Sequence, residues 1–198
     1  MDVFEAIRTL RAMRRLDPER EVPEADLVKI LEAAGKAPSG GNAQPVRWVV
    51  VRDAALRRRL GEIYRAVARR TLQRYEEPAR HDPAVARMLR SSLYLADHMG
   101  DAPVLLLPCA PAALVRPEGA VYPAIQNLML AARALGLGTT LTSMHRENEA
   151  AVKELLAIPD DVDTYALIPV GYPLGRWRES ARLPVDEVTY WDGWGRRR

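Results

Sequence analysis

Residues 37–51 have the sequence Ala-Pro-Ser-Gly-Gly-Asn-Ala-Gln-Pro-Val-Arg-Trp-Val-Val-Val, in which a turn-rich loop gives way to a β-branched run. Proline, glycine and asparagine favour turns, whereas the run Val46 to Val51 predicts a short buried strand. Upstream, Pro23 to Asp26 begins a predicted helix with acids in its first turn, and this helix is expected to stop near Gly35. The loop at 37–45 therefore connects the second predicted helix to the first predicted strand.

Hydrophobic spacing predicts further elements on both sides of this stretch. The predicted helices are Asp2 to Leu16, Ala54 to Arg74, Pro83 to His98, Tyr122 to Leu135 and Asn148 to Leu156, with a Glu-Glu-Pro break at Glu76 to Pro78. The further predicted strands are Pro103 to Leu107, Leu137 to Thr142 and Thr164 to Val170. This order of elements predicts an α/β or α+β layer sandwich.

Length and composition are those of an ordinary soluble domain. The chain has 198 residues, of which 48% are hydrophobic and 28% charged, so disorder and collagen-like repetition are excluded. Its net charge of +3 does not by itself argue for a nucleic-acid partner. No apolar run approaches the roughly 20 residues of a membrane-spanning helix, and the N-terminus lacks an apolar signal core. The lone Cys109 excludes an intrachain disulfide framework and fits a reducing cytoplasm.

The C-terminal part of the chain differs from the rest. From Gly171 onward it is punctuated by proline and glycine, yet it carries Trp177, Trp191 and Trp194, three of the four tryptophans. Indole rings prefer burial, and this segment has no core of its own. We therefore predict a main domain at 1–171 and an extension at 172–198 that packs on the main body or on a second subunit.

Several catalytic motifs are absent. The stretch Gly136 to Leu141 fails the dinucleotide fingerprint, because it follows a helix and ends in leucine. No phosphate-binding P-loop and no G-x-S-x-G nucleophile elbow is present. The histidines, His81, His98 and His145, have no ligand spacing. The sequence therefore predicts neither a metal site nor a side-chain nucleophile.

Three stretches remain as candidate binding elements. In the 37–45 loop, Ser39, Asn42 and Gln44 offer donors and acceptors for a flat polar ligand, although the same residues can simply cap backbone groups. Glycines and hydroxyls follow the long apolar helix at 136–143, where a helix cap and a threonine-rich strand are the alternative interpretation.

The third candidate is the basic cluster of the first helix. Arg11 is spaced by one helical turn from Arg14 and Arg15, so two guanidinium groups can clamp one phosphate. A solvated basic face, which would include Arg8, is the alternative. In the tail, Arg176 and Arg182 would add positive charge if that segment folds back.

Taken in order along the chain, these pieces resemble the FMN-dependent nitroreductase family. The stretches that carry the resemblance are R-x-x-R-R-L-D-P (Arg11 to Pro18), A-P-S-G-G-N-A-Q-P (Ala37 to Pro45), A-A-R-A-L-G-L-G-T (Ala131 to Thr139), I-P-V-G-Y-P (Ile168 to Pro173) and R-L-P-V-D-E-V (Arg182 to Val188). The resemblance implies an α+β three-layer sandwich with a central, mostly antiparallel sheet flanked by helices. It also implies a homodimer with FMN at the subunit interface and a C-terminal extension that wraps the partner.

The resemblance also implies which residues contact the flavin. The cofactor-binding residues implied are Arg11, Ala12, Arg14 or Arg15, and Arg182 at the phosphate; Pro38, Ser39, Gly40, Asn42 and Gln44 at the ribityl chain and ring; and Leu141, Thr142 and Ser143 along the isoalloxazine. The chain departs from the family at three places. Leu10 and Ala12 replace an arginine and a serine that members often carry, Val46 replaces a common tryptophan, and Ser143 stands where some members have an acid.

The function implied by the resemblance is an FMN-dependent oxidoreductase that uses NADH or NADPH. Hydride would pass through flavin N5 to a small nitroaromatic, quinone or related acceptor in a ping-pong cycle, with no catalytic side chain. One alternative is a specialised flavin enzyme on the same scaffold: a dehalogenase, a dehydrogenase or a flavin-consuming enzyme. Another is a non-catalytic binder of anions or nucleic acid, which the lack of aromatics among the arginines disfavours. We expect a cytoplasmic homodimer with neither a nucleic-acid nor a membrane partner.

Overall fold

The computed structural model describes all 198 residues. The helices are α1 (Val3–Thr9), α2 (Glu24–Gly35), α3 (Ala54–Leu72), α4 (Glu76–His81), α5 (Pro83–His98), α6 (Glu118–Ala134) and α7 (Glu149–Leu156). The strands are β1 (Arg47–Val51), β2 (Val104–Pro111), β3 (Gly138–Thr139), β4 (Val162–Thr164) and β5 (Ile168–Gly171). None of these helices combines the length and the apolar character needed to span a bilayer.

The strands form one sheet in which every pairing is antiparallel. Its order is β1-β2-β5-β3, and β4 pairs with the far end of β2. Successive side chains of a strand point to opposite faces. Accordingly Val104 and Leu106 pack against α2 and α6, whereas Leu105 and Leu107 pack in a second cluster with α3 and α5. The prediction of an α+β three-layer sandwich with an antiparallel sheet is confirmed.

The first helix is shorter than predicted, because α1 ends at Thr9 and not at Leu16. The chain from Leu10 onward is drawn into the sheet edge by long-range hydrogen bonds. The Met13 N–H donates to the Thr139 carbonyl at 2.9 Å, and Leu16 forms a β-bridge with Pro173. These tertiary contacts override the helical spacing of Leu10 and Met13, which had supported a longer helix.

Other boundaries also differ from those predicted. The second strand runs to Pro111 because Cys109 to Pro111 pair with β4. The single strand predicted at Thr164 to Val170 is divided into β4 and β5, since the intervening residues leave the ladder. The expected break at Glu76 to Pro78 is instead the first turn of α4, where a proline needs no intrahelical donor. The strand predicted at Leu137 to Thr142 is regular only over β3.

The segment after β5 touches the body at its beginning and then becomes exposed. Trp177 lies against Arg133, whose guanidinium carbon is 4.2 Å from the ring centroid, and Arg8 forms a 2.6 Å ion pair with Glu179. Beyond these contacts every residue from Ala181 to Val188 is exposed. Trp194 is 90% exposed, and its ring centroid lies 4.6 Å from that of Tyr190 in the same part of the tail. The proposed boundary between 1–171 and 172–198 stays a prediction.

Candidate functional site

Backbone hydrogen bonds hold the arginine-rich segment Leu10 to Leu16 in place. Met13 is bonded on both sides, since its N–H donates to Thr139 and its carbonyl accepts from Thr140 Oγ1 at 2.8 Å. Gly138 permits this close approach, because a Cβ there would lie 2.8 Å from Met13 Cβ. The segment is therefore fixed against β3 at the point where the glycine-rich sequence follows α6.

A cavity of about 430 Å³, here called the strand cavity, opens beside this junction. Its lining includes Arg11, Ala12 and Arg182, residues from opposite ends of the chain, together with Leu141. The remaining walls come from α1, α6 and the β3 edge: Ile7, Leu10, Gln126, Met129, Thr139 and Thr140. The cavity thus combines two cationic groups with apolar walls and carries no carboxylate.

A second cavity of about 350 Å³, here called the arginine cavity, lies on another side of Arg11. It is lined by Arg11, Arg14 and Arg15 together with Arg176 and Arg178 from the tail. Burial lowers the pKa of the Arg14 guanidinium from its ordinary value, and the charge of Arg11 adds to that effect. The predicted phosphate residues are therefore divided: Arg11 and Arg182 meet in the strand cavity, whereas Arg14 and Arg15 face the arginine cavity.

The 37–45 loop has an unusual backbone. Gly41, Asn42 and Gln44 have φ values of 56°, 54° and 47°. These values lie in the left-handed region, a backbone conformation that residues other than glycine rarely adopt. The Ser39 hydroxyl oxygen accepts from the Gln44 N–H at 2.9 Å and braces the turn. Non-glycine residues in this region cluster at binding sites, where the strain is part of the function. The loop is consistent with a preformed ligand contact and also with the capping role considered from sequence.

The loop does not meet the arginines within one chain. Pro38, Ser39 and Gln44 line a separate cavity of about 190 Å³ between α2, β1 and α6. None of the loop residues lines either the strand cavity or the arginine cavity. Gly40 and Asn42 are exposed, and a Cβ on Gly40 would meet no atom within 4 Å. Arg11 and the residues of this loop therefore line different cavities within one chain.

The hydroxyl-rich stretch after β3 contains one buried contact that the sequence did not indicate. The Tyr64 hydroxyl of α3 lies 3.1 Å from Thr142 Oγ1, and burial raises the pKa of Tyr64. Thr142 is itself buried, whereas Leu141 and Ser143 on either side are exposed. This alternation presents Leu141 and Ser143 at the surface, where a ligand can reach them.

Several residues that line the strand cavity and the arginine cavity were not predicted from the sequence. Thr139 and Thr140 stand in a stretch already noted for its hydroxyls, and their adjacency to Leu141 is the signal that could have identified them. Ser91 of α5 and Arg178 of the tail line the arginine cavity, but no local motif marks either residue. Gln126 and Met129 lie on α6 among residues that resemble ordinary helix surface.

His145, Thr164 and Glu149 form a chain of buried and partly buried hydrogen bonds, and none of the three lines the strand cavity or the arginine cavity. His145 Nε2 is 2.9 Å from Thr164 Oγ1, and that hydroxyl donates to Glu149 Oε1 at 2.7 Å. Because the threonine proton is used by Glu149, His145 donates from Nε2. Burial lowers the pKa of His145 to about 4 and raises that of the Cys109 thiol to about 11. Both groups are therefore neutral at ordinary pH, which indicates a structural role.

The chemistry of the strand cavity suits a ligand with one phosphate and a polar chain. Two guanidinium groups, Arg11 and Arg182, match the charge of a phosphate monoester. Thr139 Oγ1 is buried without a hydrogen-bond partner, so this wall retains unused polar capacity. Its volume falls in the range of about 300–1,000 Å³ that is common for small-molecule sites. The residues present thus fit the phosphate and ribityl parts of a flavin mononucleotide.

Comparison with known proteins identifies the family. The family model described as "Nitroreductase family" matches residues 7–172. An NADH dehydrogenase of Thermus thermophilus is 32% identical, and the alignment covers 93% of this chain and 91% of that protein.

Two solved structures share the fold. Oxidised iodotyrosine deiodinase bound to FMN and 3-iodo-L-tyrosine aligns with a TM-score of 0.78 at 23% identity, covering 92% of this chain and 96% of that one. The FMN and NADPH-dependent nitroreductase NfnB of a Sphigopyxis species gives a TM-score of 0.76 at 24% identity and covers 98% of this chain and all of the other. Since the family model spans most of the sequence, the chain belongs to the nitroreductase family.

Proposed function

We propose that the protein is an FMN-dependent oxidoreductase that takes hydride from NADH or NADPH and reduces a nitroaromatic, quinone or related small acceptor. The observation that carries this proposal is the convergence of Arg11 and Arg182 on one cavity beside Thr139 to Leu141. Family membership and the FMN named for the two structural neighbours support it.

Arg11 and Arg182 would hold the flavin phosphate. Their planar guanidinium groups can donate several charge-assisted hydrogen bonds to the phosphate oxygens. Such bonds are about twice as strong as hydrogen bonds between neutral groups. Arg11 reaches the cavity because Met13 is fixed to Thr139, and Arg182 lines it from the exposed part of the tail that follows the contact between Trp177 and Arg133. Thr139 and Thr140 add polar groups at the same wall.

The 37–45 loop would contact the same cofactor from a second copy of the chain, so that the working unit is a homodimer. Large apolar side chains support this arrangement, because they are exposed on α1 and on the tail: Phe4 is 77% and Val185 76% exposed. Clusters of such residues on a monomer surface mark interaction sites. The tail would then wrap the partner and cover Trp194.

Bound FMN would accept hydride from the reduced nicotinamide and pass it to the acceptor. The chain's own residues bind and orient the ligands. Ser39, Asn42 and Gln44 offer amide and hydroxyl groups that can recognise ring edges. Leu141 lines the strand cavity, and Ser143, two residues further on, is exposed. Arg14 carries a partly buried positive charge for an anionic ligand. No side-chain nucleophile is needed, and the single free cysteine, Cys109, is buried, which suits a reducing compartment such as the cytoplasm.

The test combines flavin binding with turnover. Apoprotein titrated with FMN should quench the flavin fluorescence to a stoichiometric endpoint. The loaded protein should oxidise NADH or NADPH when quinones or nitroaromatics are supplied. A protein that binds no FMN would overturn the proposal, and FMN binding without turnover of either nicotinamide would overturn the hydride-donor part.

A second candidate is reductive dehalogenation of an aromatic amino acid. The fold similarity to a deiodinase bound to FMN and 3-iodo-L-tyrosine favours this candidate. Release of iodide from 3-iodo-L-tyrosine by the reduced, FMN-loaded protein would support it. Turnover of quinones and nitroaromatics with no iodide release would favour the first candidate.

A further inference from the structure

The arginine cavity gathers more positive charge than one flavin phosphate requires. Arg14, Arg15, Arg176 and Arg178 line it, and none of them forms an ion pair in the structure. The nearest acid in the tail sequence, Glu179, is engaged by Arg8 at 2.6 Å. Unpaired guanidinium groups that share a concave surface repel one another and concentrate anions there.

Neighbouring contacts hold these arginines in position. Arg14 Nη1 donates to Ser91 Oγ at 3.4 Å, and the Arg15 guanidinium lies 4.1 Å from the centroid of the Tyr94 ring. Both partners belong to α5, so this helix positions the two arginines of the N-terminal segment. The Leu174 N–H donates to the Arg15 carbonyl at 3.0 Å, which joins the start of the tail to the same segment.

The tail arginines face the cavity because the residue between them is anchored elsewhere. Trp177 packs on Arg133, a buried arginine whose Nε donates to Thr9 Oγ1 at 2.9 Å. Trp177 does not line the arginine cavity, whereas its two neighbours in sequence do. Arg176 and Arg178 are therefore directed together at the arginine cavity, whereas Arg182 lines the strand cavity.

We propose that the arginine cavity is a second anion subsite, which binds the phosphate monoester of a nicotinamide donor and makes the enzyme prefer NADPH to NADH. This inference rests on the proposed function. NADPH differs from NADH by one phosphate monoester, which carries a charge of about −1.5 to −2 and three acceptor oxygens. A carboxylate would neutralise only one of the guanidinium groups, whereas this phosphate can accept hydrogen bonds from several guanidinium groups at once.

The test measures nucleotide binding to the FMN-loaded protein by calorimetry, with 2′,5′-ADP, 5′-AMP and inorganic phosphate as probes. The wild-type protein should bind 2′,5′-ADP at least about tenfold more tightly than 5′-AMP or inorganic phosphate. The double variant Arg176→Ala/Arg178→Ala should lose that preference while retaining its FMN. Arg59→Ala, an exposed arginine of α3 outside both cavities, is the matched control and should behave as wild type.

Kinetics give a second readout on the same proteins. The double variant should lower kcat/KM for NADPH at least about tenfold and leave that for NADH unchanged. Equal binding of 2′,5′-ADP and 5′-AMP by the loaded wild-type protein would overturn the inference and leave the proposed function intact. Binding of inorganic phosphate as tightly as 2′,5′-ADP would overturn the nucleotide assignment. Loss of FMN from the double variant would show that the cavity belongs to the flavin phosphate.

Discussion

The Met13 N–H donates to the Thr139 carbonyl at 2.9 Å, and this bond fixes the arginine-rich segment against the edge of the sheet. It explains why α1 ends early and why Arg11 lies beside Leu141 in the strand cavity. The bond depends on the absence of a side chain at Gly138, where the two backbones approach closely. The position of the candidate phosphate site is therefore set by one glycine.

Gly138→Ala should separate these two segments. The new Cβ would lie 2.8 Å from Met13 Cβ, and overpacking of this kind costs about 1–3 kcal/mol of the free energy of unfolding. FMN affinity should fall as well, because Arg11 would move. Urea denaturation and FMN titration measure the two effects. Gly119→Ala meets no atom within 4 Å and serves as the control. Unchanged stability and flavin affinity in Gly138→Ala would contradict the prediction.

Removal of either cavity arginine should weaken FMN binding. Arg11→Ala and Arg182→Ala each lose charge-assisted hydrogen bonds to the phosphate, and we expect affinity to fall at least about tenfold. Fluorescence titration of the apoprotein measures this loss, with Arg59→Ala as a charge-matched control. If Arg182→Ala retained wild-type occupancy, the tail would have no part in the phosphate site.

The strained loop provides a matched pair of glycine substitutions. Gly41 has φ +56°, so Gly41→Ala should destabilise the protein by about 1–2 kcal/mol. Gly40→Ala, at a neighbouring position without a positive φ and with no atom within 4 Å, should change the free energy of unfolding by less than about 0.5 kcal/mol. Urea denaturation of both variants gives the comparison. Equal effects at the two positions would argue against the loop backbone found here.

His145 should make stability depend on pH. Burial lowers its folded-state pKa to about 4, below the ordinary 6.5, so the unfolded chain binds a proton that the folded chain does not. The stability due to neutral His145 is complete above pH 6.5 and is lost as the pH falls from 6.5 towards 4. Between pH 7 and 4.5, wild type should lose about 2 kcal/mol more than His145→Gln. Parallel pH profiles for the two proteins would contradict this prediction.

The sequence predicted the layers of the fold better than the ends of its elements. The apolar run from Val104 to Leu107 and the prolines that precede α2 and begin α5 are local signals, and α2, α5 and the first part of β2 lie where they were predicted. The end of α1 was wrong because the bond from Met13 to Thr139 joins residues far apart in sequence. A single sequence contains no local signal for such a contact.

The candidate site shows the same division between local and long-range information. The family resemblance nominated Arg11 and Arg182, which line one cavity, but periodicity alone had placed Arg11, Arg14 and Arg15 together on one helical face. Because the segment is not helical, Arg11 lines both cavities, whereas Arg14 and Arg15 line the arginine cavity but not the strand cavity. The left-handed backbone of Asn42 and Gln44 was not predictable either, since glycine alone signals that conformation reliably.

The central claim is that one flavin is held by Arg11 and Arg182 of one chain and by the 37–45 loop of another. Differently tagged chains, one Arg11→Ala/Arg182→Ala and the other Ser39→Ala/Asn42→Ala, can be co-expressed and the mixed dimer isolated with both tags. Flavin absorbance per dimer then measures the number of intact sites. Each homodimeric variant should bind little FMN, and the mixed dimer should hold half the wild-type amount, because one of its two sites is intact. A mixed dimer as empty as the homodimers, or a failure of the two chains to associate, would contradict the claim.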